Sequence, residues 1–321
     1  MPTPDQWLFP LFTDHQQYDR SVERLSDLHI YTGSRCNRQC DFCIVSGRPD
    51  GWYEPITEKV LEAALALVPP DGTIKFYGGE PAIDADNVLW AMAWLRGSGF
   101  AGWFTIFTNG VLADRIIHLL EADERTDVVL NYSILHGEDA EPIPLDALAK
   151  LQAFAAGHPG RIYSSHAGVF PFGKGNDFVE AVGQLHIIER MHTSIEKKLA
   201  AGQLDEAAAA KAEERGFRAC PRCRPVVTSD GRHHACPFAV ESRMPHFQLG
   251  DLGTPPEAVL ARYQQFLDWI NDVLEPEAER LGAHPCLVCT HGLGSLPTYA
   301  GKFHGERKVD NYSASSPQSG G

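Results

Sequence analysis

The chain has 321 residues, 43% hydrophobic, 22% charged and 10% aromatic, a balance that excludes a disordered or collagen-like chain and suits roughly two domains. Its 28 Lys and Arg against 42 Asp and Glu leave a formal net charge of −14, which speaks against bulk nucleic-acid binding, because affinity for phosphate backbones rests on basic patches. No stretch reaches the ~18 to 20 apolar residues of a bilayer span, and the N-terminus, MPTPDQWLFPLF, puts no basic region ahead of an apolar run, so a cytoplasmic protein without membrane contact is expected.

Apolar runs that suit buried strands lie at 28–31, 73–77, 103–107, 128–132 and 161–164, interleaved with amphipathic stretches at 57–68, 87–95, 112–120 and 145–155. In the first of these, Val60, Leu61, Ala64, Leu65 and Val68 form one stripe. Thr57 stands at its N-cap, and Pro69-Pro70-Asp71-Gly72 ends it. Strand, helix, strand at this rhythm predicts a parallel sheet covered by helices, closed or partly closed, with ligands gathering at the carboxyl ends of its strands. From 176 to 216 the pattern turns long and helical, as a linker would, and the charges of 205–215 read as a solvated helix face. Short strand-like pieces at 225–228 and 233–236 flank Ser229-Asp230-Gly231 and predict a hairpin. A helix is expected at 256–281, and the Ser-, Gly- and Pro-containing end from 308 is expected to be disordered.

Eight cysteines fall in tight groups. In a reducing compartment such grouping points to metal rather than disulfides. Cys36, Cys40 and Cys43 follow the first strand at Cys-x3-Cys-x2-Cys, and three soft thiolates so close together suit an iron–sulfur cube, whose fourth iron they leave open. The alternative is zinc, but structural zinc takes four ligands and His29 is the nearest further donor. Cys220, Cys223, Cys236, Cys286 and Cys289 form a second set, for which a zinc ribbon on Cys220, Cys223, Cys286 and Cys289 is also chemically sound. His233, His234 and His291 lie near these cysteines without a clear ligand role. Phe172-Gly173-Lys174-Gly175 lacks the spacing of a phosphate loop.

The Cys36, Cys40, Cys43 motif, with Phe42 inside it, resembles the signature of the radical S-adenosylmethionine (SAM) superfamily. Gly78-Gly79-Glu80-Pro81, directly after the second strand, is similar to the segment that binds the SAM amino group there; a diglycine admits close backbone approach and a carboxylate accepts hydrogen bonds from an ammonium. Thr108-Asn109-Gly110 is similar to strand ends near the SAM carboxylate and ribose, or is a plain turn, since Asn-Gly favours turns anyway. Ser133 stands where a ribose-contacting Ser often lies, though its surrounding string is not intact.

The later cysteines resemble the SPASM and twitch extensions of that superfamily, which hold auxiliary iron–sulfur clusters. Their order is similar to the twitch domain of inosamine dehydrogenase, with Cys220, Cys236, Cys286 and Cys289 as ligands and Cys223 as the alternative to Cys220. Cys220, Cys223 and Cys236 also resemble the three-cysteine site of the molybdenum-cofactor cyclase.

The resemblance implies an α/β fold: a partial (β/α)6 TIM-like barrel at 1–175, a helical linker at 176–216, a small α+β cluster domain at 217–307 and a tail at 308–321. It implies a 4Fe-4S cluster on Cys36, Cys40 and Cys43, SAM, a second 4Fe-4S cluster, and an electron donor such as flavodoxin or ferredoxin. The expected chemistry is SAM cleavage followed by hydrogen abstraction from a small molecule. Maturation of a ribosomal peptide is the first alternative, and a non-catalytic zinc- or cluster-binding protein the second.

Overall fold

The computed structural model describes residues 9, 25–131, 143–164, 174, 224–241, 247–281 and 289. Its strands are β1 (Asp27–Tyr31), β2 (Thr73–Tyr77), β3 (Trp103–Thr108), β4 (Thr126–Leu130), β5 (Ile162–Ser164), β6 (Val226–Thr228), β7 (Arg232–His234) and β8 (Gln248–Asp251). They form one sheet in the order β5-β4-β3-β2-β1-β6-β7-β8. The run from β5 to β6 is parallel, and β7 and β8 are added antiparallel.

Four helices, α1 (Glu58–Leu67), α2 (Ala85–Gly97), α3 (Ala113–Ala122) and α4 (Leu145–Gly157), connect the first strands. Of the predicted α1 stripe, Val60, Leu61, Ala64 and Val68 are buried and Leu65 is half-buried, while Leu67, outside the stripe, is buried as well; fully burying a Val or Leu side chain is worth about 1.5–3 kcal/mol. Thr57 does occupy the N-cap in extended conformation, but its side chain makes no capping hydrogen bond. The turn after α1 closes through the Gly72 N–H to the Pro69 carbonyl at 3.0 Å.

Several boundaries differ from the sequence reading by a few residues, and two of the differences have a physical reason. β4 begins two residues earlier, because Thr126 and Asp127, polar enough to pass for a turn, pair with Phe104 and Thr105 of β3 and are buried. The C-terminal helix is not uniform: α5 (Pro256–Trp269) passes through a π-helical turn at Ile270–Leu274 into α6 (Glu275–Leu281). The hairpin between β6 and β7 is as expected, with Gly231 at φ 86 in its turn. β6 also pairs with β1, His29 opposite Val226 and Tyr31 opposite Thr228, so the C-terminal strands extend the sheet of the first half. The expected linker at 176–216 and tail at 308–321 lie outside the described residues.

Period-two alternation sorts the sheet faces. Leu28, Ile30, Ile74, Phe76, Phe104, Ile106, Val128 and Leu130 join the helices in the main core. The residues between them, Asp27, His29, Tyr31, Lys75, Tyr77, Thr105 and Asp127, line the opposite face and are also buried. That face is polar. Asp27 is ion-paired there to Lys75 and to Arg224, each at 2.5 Å.

Candidate functional site

The first three strands end in a common region, and backbone pairing continues past them. The Thr32 N–H reaches the Tyr77 carbonyl at 2.9 Å, Gly79 N–H the Gly33 carbonyl at 2.8 Å, and Glu80 N–H the Arg35 carbonyl at 3.0 Å. The diglycine thus runs alongside the start of the cysteine loop. A Cβ on Gly79 would stand 2.2 Å from the Arg35 carbonyl oxygen, and one on Gly78 would stand 2.6 Å from that of Gly33. Close backbone approach is indeed why glycine is needed here, but the neighbour is the cysteine loop.

The loop itself is tied down at both ends of its thiol run. Cys36 N–H donates to the Arg48 carbonyl at 2.9 Å, and Ser46, at φ 51, turns the chain so that the Gly47 N–H donates to Cys43 Sγ at 3.1 Å. The Arg38 N–H donates to Cys36 Sγ at 3.4 Å. Cys36 is buried, and Cys40 and Cys43 are half-buried. Burial pushes the Cys36 thiol up to about 12, with Glu80, Cys43 and Cys40 adding to it and the Arg38 N–H opposing. Burial likewise raises Cys40, with Cys43 and Asp41 adding while Arg38 and Lys174 oppose.

The three sulfurs therefore sense one another, yet among the described residues no three His, Cys, Asp or Glu side chains converge on a single metal ion. Soft, mutually coupled donors of this kind fit an iron–sulfur group better than one zinc ion, for which tetrahedral thiolates bind at about 2.3 Å. Thiols must lose their protons to ligate a metal, and metal binding itself drives that loss.

Glu80 is the hub of the site. It is 3% exposed, and its Oε1 accepts hydrogen bonds from the Ala82 N–H at 3.0 Å and the Thr108 hydroxyl at 2.7 Å. Its Oε2 accepts from the Asn109 N–H at 2.7 Å. Burial raises its carboxyl, opposed by these three donors and by Arg38. Asn109 reaches onward: its Nδ2 donates to Asn37 Oδ1 at 2.8 Å and lies 3.6 Å from Cys36 Sγ. The turn reading of Thr108-Asn109-Gly110 fits the geometry: Asn109 Oδ1 accepts from the Val111 N–H at 3.1 Å and Gly110 has φ 79. Thus Cys36, Gly78, Gly79, Glu80, Thr108 and Asn109 form one connected set. Pro81 is buried at the start of a 3-10 turn, and Phe42 is buried within the loop.

Cys236 and Cys289 are both buried and belong to the main core. Ser133, Cys220, Cys223, Cys286 and His291 lie outside the described residues.

Several residues near the thiols carried no motif. The Lys174 N–H donates to the Cys43 carbonyl at 3.0 Å. Tyr31 Oη and Trp52 Nε1 both donate to Glu241 Oε1, at 2.7 and 2.9 Å, and Tyr77 Oη donates to the Pro237 carbonyl at 2.9 Å. The alternation of β1 and β2 does place Tyr31 and Tyr77 on one face. Nothing in the sequence pairs either with a residue after Cys236.

Residues 30–148 match the family model described as the Radical SAM superfamily. A curated relative, the Probable GTP 3′,8-cyclase of Methanocella arvoryzae, is 34% identical over 119 residues, 35% of this chain and 36% of the relative. The match therefore spans about a third of that relative's length. Among solved structures, BtrN in complex with AdoMet and 2-DOIA is similar with a TM-score of 0.51 at 16% identity, over 80% of this chain and 91% of that one. Native anSMEcpe with bound AdoMet and Cp18Cys peptide gives a TM-score of 0.53 at 16% identity, over 75% and 82%. At such identity these likenesses establish the fold, an α/β architecture with a mainly parallel sheet.

Proposed function

We propose, from the premise that this chain carries a radical SAM domain, that it is an iron–sulfur enzyme that cleaves SAM reductively and abstracts hydrogen from a substrate. One observation carries the reading: Cys36, Glu80 and Asn109, from three separate strand ends, form a continuous hydrogen-bonded set. A purely structural metal site has no use for a buried carboxylate held beside its thiols.

Cys36, Cys40 and Cys43 would hold a 4Fe-4S cluster, which when bound supplies the electron that splits SAM into methionine and a 5′-deoxyadenosyl radical. The chain's own work is positional. Three donors orient the Glu80 carboxylate, and Oε2, with one N–H bonded to it, keeps a lone pair for the SAM ammonium. Gly78 and Gly79 let the second strand end lie against the cysteine loop, so that carboxylate and thiols stay in register. The polar, charged inner face of the sheet suits a polar small molecule. Cys236 and Cys289, buried in one core with the C-terminal strands built onto β1, are consistent with an auxiliary cluster completed by Cys286 and either Cys220 or Cys223.

The test is anaerobic reconstitution followed by SAM cleavage under dithionite. The wild-type chain is expected to bind two 4Fe-4S clusters and form 5′-deoxyadenosine, and Cys40→Ala to abolish that product. Unchanged product in Cys40→Ala sinks the enzyme reading. Four irons with one zinc per chain sinks the auxiliary cluster alone. A peptide substrate is the second reading, since anSMEcpe, of similar fold, binds the Cp18Cys peptide.

A further inference from the structure

The two strand ends that carry the site share one brace. Tyr31 closes β1 and leads into the cysteine loop, and Tyr77 closes β2 and leads into Gly78-Gly79-Glu80. Both hydroxyls reach the short stretch from Pro237 to Glu241: Tyr77 Oη donates to the Pro237 carbonyl at 2.9 Å and Tyr31 Oη to Glu241 Oε1 at 2.7 Å. A third bond ties the loop itself, since Trp52 Nε1 donates to the same Oε1 at 2.9 Å. Trp52 belongs to the stem of that loop: its carbonyl accepts from the Ser34 and Arg35 N–H groups at 3.0 and 3.2 Å, and its N–H donates to Ser34 Oγ at 3.1 Å. Packing repeats the pattern. Buried Val240 shares one cluster with Tyr31, Tyr77 and Val45, which lies two residues past Cys43, and Cys43 and Trp52 pack against that cluster.

We propose that Glu241 is a positioning residue for SAM binding: through Trp52 and Tyr31 it fixes the stem of the cysteine loop, and with it the placement of the loop thiols relative to the Glu80 carboxylate. The role rests on the SAM reading above. Thiols and carboxylate come from different strand ends and must keep register to hold one ligand. The stem sets that register, because the Gly33 and Arg35 carbonyls in it accept from the Gly79 and Glu80 N–H groups at 2.8 and 3.0 Å. Glu241 acts on the stem from its far side, through the partner of Ser34 and Arg35. One of its oxygens accepts both donors and the other accepts none among the described residues, so the brace needs an acceptor and not a charge. Glu241 also lies outside the residues 30–148 that match the family model, so the matched segment alone lacks this contact.

The experiment is equilibrium dialysis with labelled SAM on the full chain reconstituted anaerobically, with iron content and circular dichroism taken on the same samples. Glu241→Ala is expected to weaken SAM binding about tenfold, the usual scale for loss of an outer contact that orients a binding group. Glu241→Gln keeps a carbonyl oxygen for Tyr31 and Trp52 and should stay within about twofold of the wild type. Arg96→Ala loses the Asp123 ion pair and the bonds to the Phe100 and Gly102 carbonyls at the opposite end of β3; it destabilises the same sheet without touching the brace and should bind SAM as the wild type does. Wild-type affinity in Glu241→Ala overturns the proposal. An equal loss in Glu241→Gln also overturns it, since charge would then be the operative feature, and so does an equal loss in Arg96→Ala, since general stability would then be the cause. If Glu241→Ala does not fold, Trp52→Phe decides, because it keeps an aromatic ring and removes the N–H: weaker binding supports the proposal and wild-type affinity overturns it. A wild-type chain that takes up iron and binds no SAM overturns the SAM reading itself, and this inference with it.

Discussion

The buried Tyr31 hydroxyl donates to Glu241 Oε1 at 2.7 Å across 210 residues of sequence. The same oxygen accepts from Trp52 Nε1, so one carboxylate joins β1, the end of the cysteine loop and the segment that follows Cys236. Packing supports the link: the Tyr31 ring lies 5.1 Å from that of Tyr77 and 5.5 Å from that of Trp52, beside Val45, Val226 and Val240. Burial, then Glu241, holds the Tyr31 phenol well above its ordinary value, so it remains a donor at neutral pH.

Removing that acceptor should be costly. Glu241→Ala leaves the Tyr31 hydroxyl without this partner in the core, and about 1–3 kcal/mol of stability is expected to go with it. Tyr31→Phe, which deletes the donor, should cost less. In a double-mutant cycle by urea denaturation the two should couple by more than about 0.5 kcal/mol. Additive losses would show the contact to be incidental.

The Tyr31 link also marks where sequence reading runs out. Helix stripes, strand periods and the Gly231 turn are local, and so they are legible in the sequence; the cysteine loop and the Glu80 segment stand out there as short strings, and the structure lays them side by side. β4 was misplaced because Thr126 and Asp127 are polar yet paired in mid-sheet, a consequence of the charged inner face. Lys174, Glu241 and the pairing of β6 with β1 depend on contacts between distant segments, for which one sequence carries no signal. The diglycine was legible in position, but what presses on it was visible only in three dimensions.

Glu80→Gln tests the hub. The amide carbonyl can replace Oε1, but its NH2 then faces the Asn109 N–H, donor against donor, where Oε2 accepted at 2.7 Å. SAM affinity should fall at least tenfold, with about 1–3 kcal/mol lost in stability. Thr108→Ala removes a single bond to the same carboxylate and should cost about 1 kcal/mol. Equilibrium dialysis with labelled SAM and thermal denaturation separate the two effects. Wild-type affinity in Glu80→Gln would remove Glu80 from the SAM site.

Gly79→Ala should separate loop from sheet. The added methyl would meet the Arg35 carbonyl oxygen at 2.2 Å, a contact that backbone must move to relieve. The parallel ladder of β1 and β2 ends before this point, so secondary structure should survive while iron loading after reconstitution falls. Circular dichroism and an iron assay on the same sample check this; full iron content in the variant would mean that the loop tolerates displacement.

The Asp27 carboxylate lies between two buried cations, Lys75 and Arg224. Asp27→Asn leaves both facing a neutral amide, and loss of one member of such a buried set typically costs about 3–5 kcal/mol. Lys75→Met should cost less, because Asp27 keeps Arg224. A denaturation series in which Lys75→Met is the more damaging change would contradict this ordering.

His233 should make stability fall in mild acid. It is 3% exposed on the floor of a groove of about 500 Å³ lined by Lys59, Glu62, Leu252 and Thr254, and neither ring nitrogen is hydrogen-bonded among the described residues. Burial lowers its pKa to about 4, with Asp251 opposing. The unfolded chain, with a histidine near 6.5, then binds the proton before the folded chain does, so the contribution is intact above pH ~6.5 and is lost as pH falls toward ~4. The full loss is on the order of 3 kcal/mol by linkage. Urea denaturation between pH 7.5 and 4.5 should show this decline in the wild type and a shallower one in His233→Phe, in which no imidazole remains at that position to be protonated. Parallel profiles for the two proteins would mean that the imidazole already finds a charged-state partner in the folded chain.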